Sequence, residues 1–267
     1  KLIESKNLTV CVRPFFGPFK AIASLLEFIA FYRVNLVNKF VFYNYSSSLQ
    51  VKSLLSSMPF VHVNQFDIPI NTNEINIGGQ HIQIADCLLR NANDYVIIVD
   101  VDEFIITFQH ENLKSFILLN INKSIGSFIF ANTFFCNGFN QRQRNVFPRI
   151  LNHDIRQTSE WPIGEASKYI VIKPLSVASQ GVHVITRWNN SNSQNSNDQL
   201  VNVFVNRNEA MMFHYRSCCS YWKTYYKITE EIRILYKVSY DYTIVDNRIN
   251  KFAHQIFNFL NYYIEGQ

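Results

Sequence analysis

Two aspartates one residue apart close an apolar run, Tyr95-Val-Ile-Ile-Val-Asp-Val-Asp-Glu-Phe104. Carboxylates held this close repel, and one is driven toward protonation unless a cation lies between them. A hard divalent cation removes the conflict, and carboxylate oxygens suit Mn2+ or Mg2+. The plain alternative is a strand-end turn carrying two solvated acids, since Asp-x-Asp is a common triplet. Two chemistries use such a pair. A phosphotransferase of the haloacid-dehalogenase kind wants it on the first strand, followed by x-Thr or x-Val. Here Phe104 fills that position, the strand is the fourth, and no Asp-Asp pair follows. The other chemistry uses the metal to neutralise a nucleotide-sugar diphosphate, and this position fits it. Asp100 and Asp102 are therefore candidate metal ligands, Asp102 the more direct. Glu103 stands beside them as support or turn cap.

Such a pair needs a frame. Residues 8–12, 40–43, 60–63 and 95–99 are short apolar runs that read as strands. Between them lie three helical stripes. Ile22, Leu25, Leu26 and Ile29 form the first, with Lys20 and Glu27 on the other side. Val51, Leu54, Leu55 and Met58 form the second, stopped by Pro59. Ala85, Leu88, Leu89 and Ala92 form the third, leaving Gln80, Gln83, Asp86 and Arg90 on the opposite side. This order predicts an α/β fold with a mostly parallel sheet flanked by helices. Ligands of such sheets bind beyond the carboxyl ends of the strands, where Arg13, Asn44 and Asp100 all fall. Residues 127–131, 169–172 and 210–213 read as further strands, and His214 ends the last. The Asn/Ser tract 189–197 reads as a loop, and the aromatic tail from Tyr221 as helices packed back on the sheet. With no repeat and no linker, residues 1–267 read as one domain.

At 48% hydrophobic and 17% charged over 267 residues, the chain can bury a sizeable core, which excludes disorder and a disulfide scaffold. The most apolar stretch, residues 22–42, is cut by Glu27, Arg33 and Lys39, so nothing present spans a bilayer. The net charge of +5 is scattered and gives nucleic-acid binding little support. Cys11, Cys87, Cys136, Cys218 and Cys219 contain no Cys-x-x-Cys pair, which excludes a zinc ribbon and a thioredoxin motif but leaves the compartment open. Sequons stand at Asn7, Asn44, Asn122 and Asn189, and roughly three arise by chance at this Asn content. The chain begins at Lys1 rather than Met, so an N-terminal segment is expected to precede it, and a missing signal or anchor does not argue for a cytosolic protein.

Several segments together resemble glycosyltransferase family 92, whose members include galactosyltransferases. Val10-Cys-Val-Arg-Pro-Phe-Phe-Gly17 is similar to the family's opening strand and loop. Glu27-Phe-Ile-Ala-Phe-Tyr-Arg33 and Val41-Phe-Tyr-Asn-Tyr-Ser46 resemble its first helix and second strand. Gly79-Gln80 with Ala85-Asp-Cys-Leu-Leu-Arg90 resembles its third helix, and Val99-Asp-Val-Asp-Glu-Phe104 its acidic motif. Lys168-Tyr-Ile-Val171 with Lys173-Pro174, Gly181-Val-His183 and His214-Tyr-Arg216 resemble its three later signatures. Lys173 is a departure, because the family usually has Arg before that Pro.

The resemblance implies a GT-A fold, a UDP-sugar donor (usually UDP-galactose), Mn2+ with Mg2+ as alternative, inversion at the anomeric carbon and a glycan acceptor. It implies a Golgi-lumenal catalytic domain of a type II membrane protein, anchored by a segment outside this chain. It favours His214 as third metal ligand, with His183 as rival. Arg13, Asn44, Gln80, Asp86, Arg90 and Asp100 become candidate donor contacts. Arg216 or Lys173 can offset phosphate charge. An inverting transfer needs a carboxylate base, for which Asp154, Glu160 and Glu165 are candidates, Glu160 being next to Trp161. The open alternatives are a UDP-glucose or UDP-GlcNAc donor, or a carbohydrate-binding relative without turnover.

Overall fold

The computed structural model describes residues 6–17, 19–69, 76–137, 147–158, 161–189, 199–216 and 243–265. Its first half runs β1 (Leu8–Val12), α1 (Ile22–Val34), β2 (Lys39–Asn44), α2 (Leu49–Ser56), β3 (Val61–Gln65), α3 (Gln80–Arg90) and β4 (Tyr95–Val99). Then come β5 (Glu103–Thr107), α4 (Leu113–Asn120), β6 (Ile125–Phe130), β7 (Asn132–Cys136), α5 (Arg149–Asn152) and β8 (Ile155–Gln157). The remainder holds β9 (Lys168–Val171), β10 (Val177–Gln180), β11 (Ile185–Trp188), β12 (Val201–Phe204), β13 (Ala210–Arg216), β14 (Thr243–Val245) and α6 (Ala253–Glu265).

The main sheet has seven strands in the order β12-β6-β9-β4-β1-β2-β3. Its neighbours pair in parallel except around β9, which is antiparallel to both β4 and β6. Alternate residues divide between the two faces, as a strand's period of two requires. Tyr95, Ile97 and Val99 pack toward α1, α2 and α4, while Val96 and Ile98 pack toward α3. A smaller sheet, β5-β13-β7, continues from the carboxyl end of β4.

The predicted mostly parallel sheet is observed, with four differences in detail. Helix α1 is buried along its length from Leu25 to Tyr32, because it lies between the sheet and the C-terminal helix; Phe31 meets Phe252 edge-on at 5.5 Å. Glu27, assigned above to the polar side, is therefore buried. Helix α3 is rotated from the predicted stripe. It buries Gln80, Gln83, Ile84, Cys87 and Leu88 and leaves Leu89 69% exposed. A disulfide from Cys87 to Cys11 of β1 fixes that orientation. Strand β13 runs on past Phe213, so His214 lies within a strand. In the tail, α6 packs on α1 rather than on the sheet itself; the rest, through residue 242, and tract residues 190–197 lie outside the described residues.

Candidate active site

The carboxyl ends of β1 and β4 are adjacent because the strands are parallel neighbours, and β9 begins at the same edge because it runs the other way. Arg13 follows β1, Asp100 follows β4 and Lys168 opens β9. Lys168 Nζ donates to Asp100 Oδ1 at 3.2 Å, and Arg13 Nη1 stands 3.7 Å from Oδ2. Gln80 Nε2 donates to the same Oδ1 at 3.2 Å. Gly79 brings Gln80 there: it caps α3 with φ +75°, and a Cβ on it would lie 2.6 Å from Ile68 Cδ1.

After Val99 the chain turns through Asp100, Val101 and Asp102 into β5. Glu103 closes this turn twice. Its N–H donates to Asp100 O at 3.1 Å, and its Oε2 accepts the Asp100 N–H at 2.6 Å. The turn sends the two aspartates different ways. Asp100 meets the cations of the main sheet, whereas Asp102 meets the smaller one. There His214 pairs with Glu103 in the antiparallel β5–β13 ladder. His214 Nε2 lies 3.3 Å from Asp102 Oδ2, and its Nδ1 lies 3.6 Å from Glu103 Oε1. The Tyr215 N–H donates to Asp102 O at 2.9 Å and holds the turn against β13.

Charge and burial set the ionisation here. Lys168 is 1% exposed, which opposes its charge, yet Asp100 and Glu103 raise its pKa above the ordinary lysine value. Burial lifts Glu103 to about 7, against the pull of Lys168 and with help from Asp100. Asp102 keeps 45% of its side chain exposed, so desolvation opposes its carboxylate only weakly, and His214 and Arg216 bring it down to about 2. For His214, burial lowers the pKa and Asp102 and Glu103 more than reverse it. Burial, with Lys168 nearby, lowers His183 to about 4, and its Nδ1 donates to Ser167 O at 2.9 Å.

Two adjoining cavities, of about 650 and 500 Å³, share Arg13, Asp100, His214 and Arg216. Phe15, Phe16 and Phe19 wall the larger, which Asp102 also borders. Trp161, Glu165, Gln80, Lys168 and His183 wall the smaller. The structure thus brings together Arg13, Gln80, Asp100, Asp102, Glu165, His183, His214 and Arg216. It places five candidates away from the cavities. Asn44 is buried, with Nδ2 donating to Gln65 Oε1 at 3.4 Å. Asp86 accepts from the Tyr43 hydroxyl at 2.6 Å and pairs with Arg90 at 2.8 Å. Asp154 sits between α5 and β8, its carbonyl accepting the Asp246 N–H at 2.6 Å. Lys173 lies past the far end of β9, where its Nζ donates to Lys123 O. Glu160 lies outside the described residues. Gln83 is buried in α3 rather than exposed.

Among the described residues no three His, Cys, Asp or Glu side chains gather as a metal-binding group. Asp102 and His214 offer two donors side by side. Sequence reasoning gave Lys168 no role. Its signal was a lysine opening an apolar strand, and only the antiparallel course of β9 brings it to the acids.

The sequence profile of glycosyltransferase family 92 matches residues 6–255. No curated protein matches the chain. Among solved structures, a mycobacterial protein is similar at 14% identity and TM-score 0.32, over 57% of this chain and 46% of that one. Glucosyl-3-phosphoglycerate synthase from Mycobacterium tuberculosis, in complex with phosphoglyceric acid, is similar at 12% identity and TM-score 0.31, over 57% and 49%. UDP-glucose pyrophosphorylase from Acinetobacter baumanii is similar at 9% identity and TM-score 0.36, over 86% and 98%. The chain therefore spans about half the length of the first two. The mostly parallel sheet with an acid pair at its carboxyl edge is the GT-A arrangement expected from the sequence. With residues 6–255 of its 267 matched, the chain belongs to glycosyltransferase family 92.

Proposed function

We propose that the chain transfers galactose from UDP-galactose to a glycan hydroxyl, with inversion at the anomeric carbon and with Mn2+ (Mg2+ as alternative) as the metal. One observation carries this reading: the turn at Asp100 and Asp102 sets a carboxylate–imidazole pair beside a cluster of cations at the mouth of two cavities. On this reading the transfer takes place in the Golgi lumen. Among the described residues no helix is long and apolar enough to cross a membrane, and on this reading the anchor lies outside the chain.

Asp102 Oδ2 and His214 Nε2, 3.3 Å apart, have the spacing of two donors on one hard cation, and a carboxylate with an imidazole suits Mn2+. Asp102 and His214 would hold the metal, with the donor diphosphate and water completing its shell. When bound, the metal supplies Lewis-acid stabilisation to the UDP leaving group. Arg13, Lys168 and Arg216 place positive charge where the leaving diphosphate gains negative charge, and such preset charge favours the transition state. Arg13 also stands where it can reach the donor nucleoside. Gln80 and Lys168 keep Asp100 fixed for the donor. The base is Glu165, which borders the cleft next to Trp161 whereas Asp154 does not; Glu160 is its rival. Glu165 takes the acceptor proton, and Trp161, packed edge-on against Phe134 at 5.5 Å, forms part of the same cavity wall.

Purified protein screened with UDP-galactose, UDP-glucose and UDP-GlcNAc tests this. UDP release is expected with UDP-galactose, stopped by EDTA and restored by Mn2+ better than by Ca2+, which prefers a larger and looser oxygen shell. Asp102→Asn should reduce it at least about 100-fold, or about 2.7 kcal/mol of barrier, without loss of cooperative unfolding. Full activity in EDTA would remove the metal from the reading, and no turnover with any donor would leave a carbohydrate-binding protein.

A further inference from the structure

The four sequons are equivalent as sequence, but the fold separates them. Asn122 is exposed on the loop between α4 and β6. Its Oδ1 accepts from the Ser124 N–H at 3.0 Å and the Ser124 hydroxyl at 2.8 Å, while no described residue accepts from its Nδ2. Strand β6 runs in the same direction as β4, since both are antiparallel to β9. The loop before β6 is therefore at the amino edge of the sheet, opposite the cleft. Asn7 is likewise exposed on that edge, just before β1. Asn44 is 4% exposed at the end of β2. Asn189 is exposed, but the rest of its sequon lies outside the described residues.

A second observation points to the compartment. Cys11 and Cys87, both fully buried, form a disulfide, and Cys136 is also disulfide-bonded. Buried structural disulfides form where thiols meet an oxidising lumen, and that lumen is where Asn-x-Ser/Thr asparagines acquire glycans.

We propose that Asn122 is an N-glycan acceptor, that Asn7 is a second, and that Asn44 stays bare. This rests on the lumenal part of the functional reading and not on its chemistry. In the transfer, Asn122 Nδ2 attacks the anomeric carbon of an oligosaccharide linked to a lipid pyrophosphate. The new N–C bond forms as the C–O bond breaks, the lipid pyrophosphate leaves with the electron pair, and the amide gives up one proton. The reaction acts on the emerging chain, so exposure in the folded protein decides which glycans the fold tolerates. At Asn122 and Asn7 a glycan projects into solvent away from the cleft. At Asn44 it would have to enter the packed edge between β2 and β3, so a chain glycosylated there does not complete folding.

The test is the full-length protein, expressed from its complete reading frame in a eukaryotic host, with glycan sites mapped by mass spectrometry after peptide-N-glycosidase release in 18O-water, which hydrolyses each glycosylated side-chain amide to Asp. Expected are heavy-labelled Asp at positions 122 and 7, unmodified Asn44, and a mobility shift smaller by one glycan in Asn122→Gln. The Asn122→Gln variant should keep its UDP-release rate within about twofold, because the site faces away from the cleft. Folded, oxidised protein with Asn122 bare, or active protein with Asn44 occupied, overturns the inference alone. Protein found in the cytosol with Cys11 and Cys87 reduced overturns it together with the lumenal reading.

Discussion

Replacing Glu27 by Gln should stabilise the protein at pH 8 and leave it nearly unchanged at pH 4. Glu27 is 4% exposed inside α1, and one of its oxygens accepts the Arg149 N–H. Burial raises its carboxyl from 4.5 to about 7, with the Arg149 contact opposing the rise. Below pH 4.5 the folded and unfolded chains both carry the proton. Between 4.5 and about 7 the unfolded chain ionises first, so stability falls as pH rises, and above 7 the full cost is present. That gap, at about 1.4 kcal/mol per pH unit, comes to about 3 kcal/mol. Gln keeps an acceptor for Arg149 and carries no charge, so it escapes this cost. Urea unfolding of both proteins across pH 4 to 8 measures it. The difference should grow through the window toward about 3 kcal/mol, or roughly 6 to 12 °C in Tm. Subtracting the curves removes other groups that titrate nearby, Glu103 included. Parallel curves, or a Gln variant that is weaker at pH 8, would refute a protonated Glu27 in the core.

Lys168→Met should cost about 3 to 5 kcal/mol at pH 8, because it leaves Asp100 and Glu103 without their buried partner. The loss should shrink at pH 5.5, where Glu103 takes up a proton and needs no cation; equal losses at both pH values in urea unfolding would contradict the buried triad. Cys11→Ala should cost about 4 kcal/mol in the oxidised protein, from the closure entropy of a loop spanning 76 residues. Its unfolding midpoint should then be insensitive to mild reductant at this bridge, and a cost below about 1 kcal/mol would place the link outside the stable fold. Gly79→Ala should destabilise by about 1 to 3 kcal/mol through the left-handed φ and the contact with Ile68. It should also weaken donor binding through Gln80, read as a raised KM for the UDP-sugar; an unchanged KM would detach Gln80 from the donor.

Much of the frame is legible in the chain itself. Period-two strands and period-3.6 stripes report a local face, and their alternation specifies a parallel sheet whose carboxyl edge receives Arg13 and Asp100. An acid pair closing an apolar strand marks Asp100 and Asp102 as candidates without any partner in view. Tertiary structure decided what depends on residues distant in sequence. Glu27 is buried because a second layer covers α1, and Leu89 is exposed because the disulfide turns α3. Lys168 reaches the acids only because β9 enters the sheet against its neighbours. Asp100 and Asp102 part because one turn ends in each of two sheets, with cations waiting at the first and His214 at the second. Periodicity records how a segment faces its own environment. Strand direction, register and a second covering layer are set by contacts between segments, and no local pattern carries them.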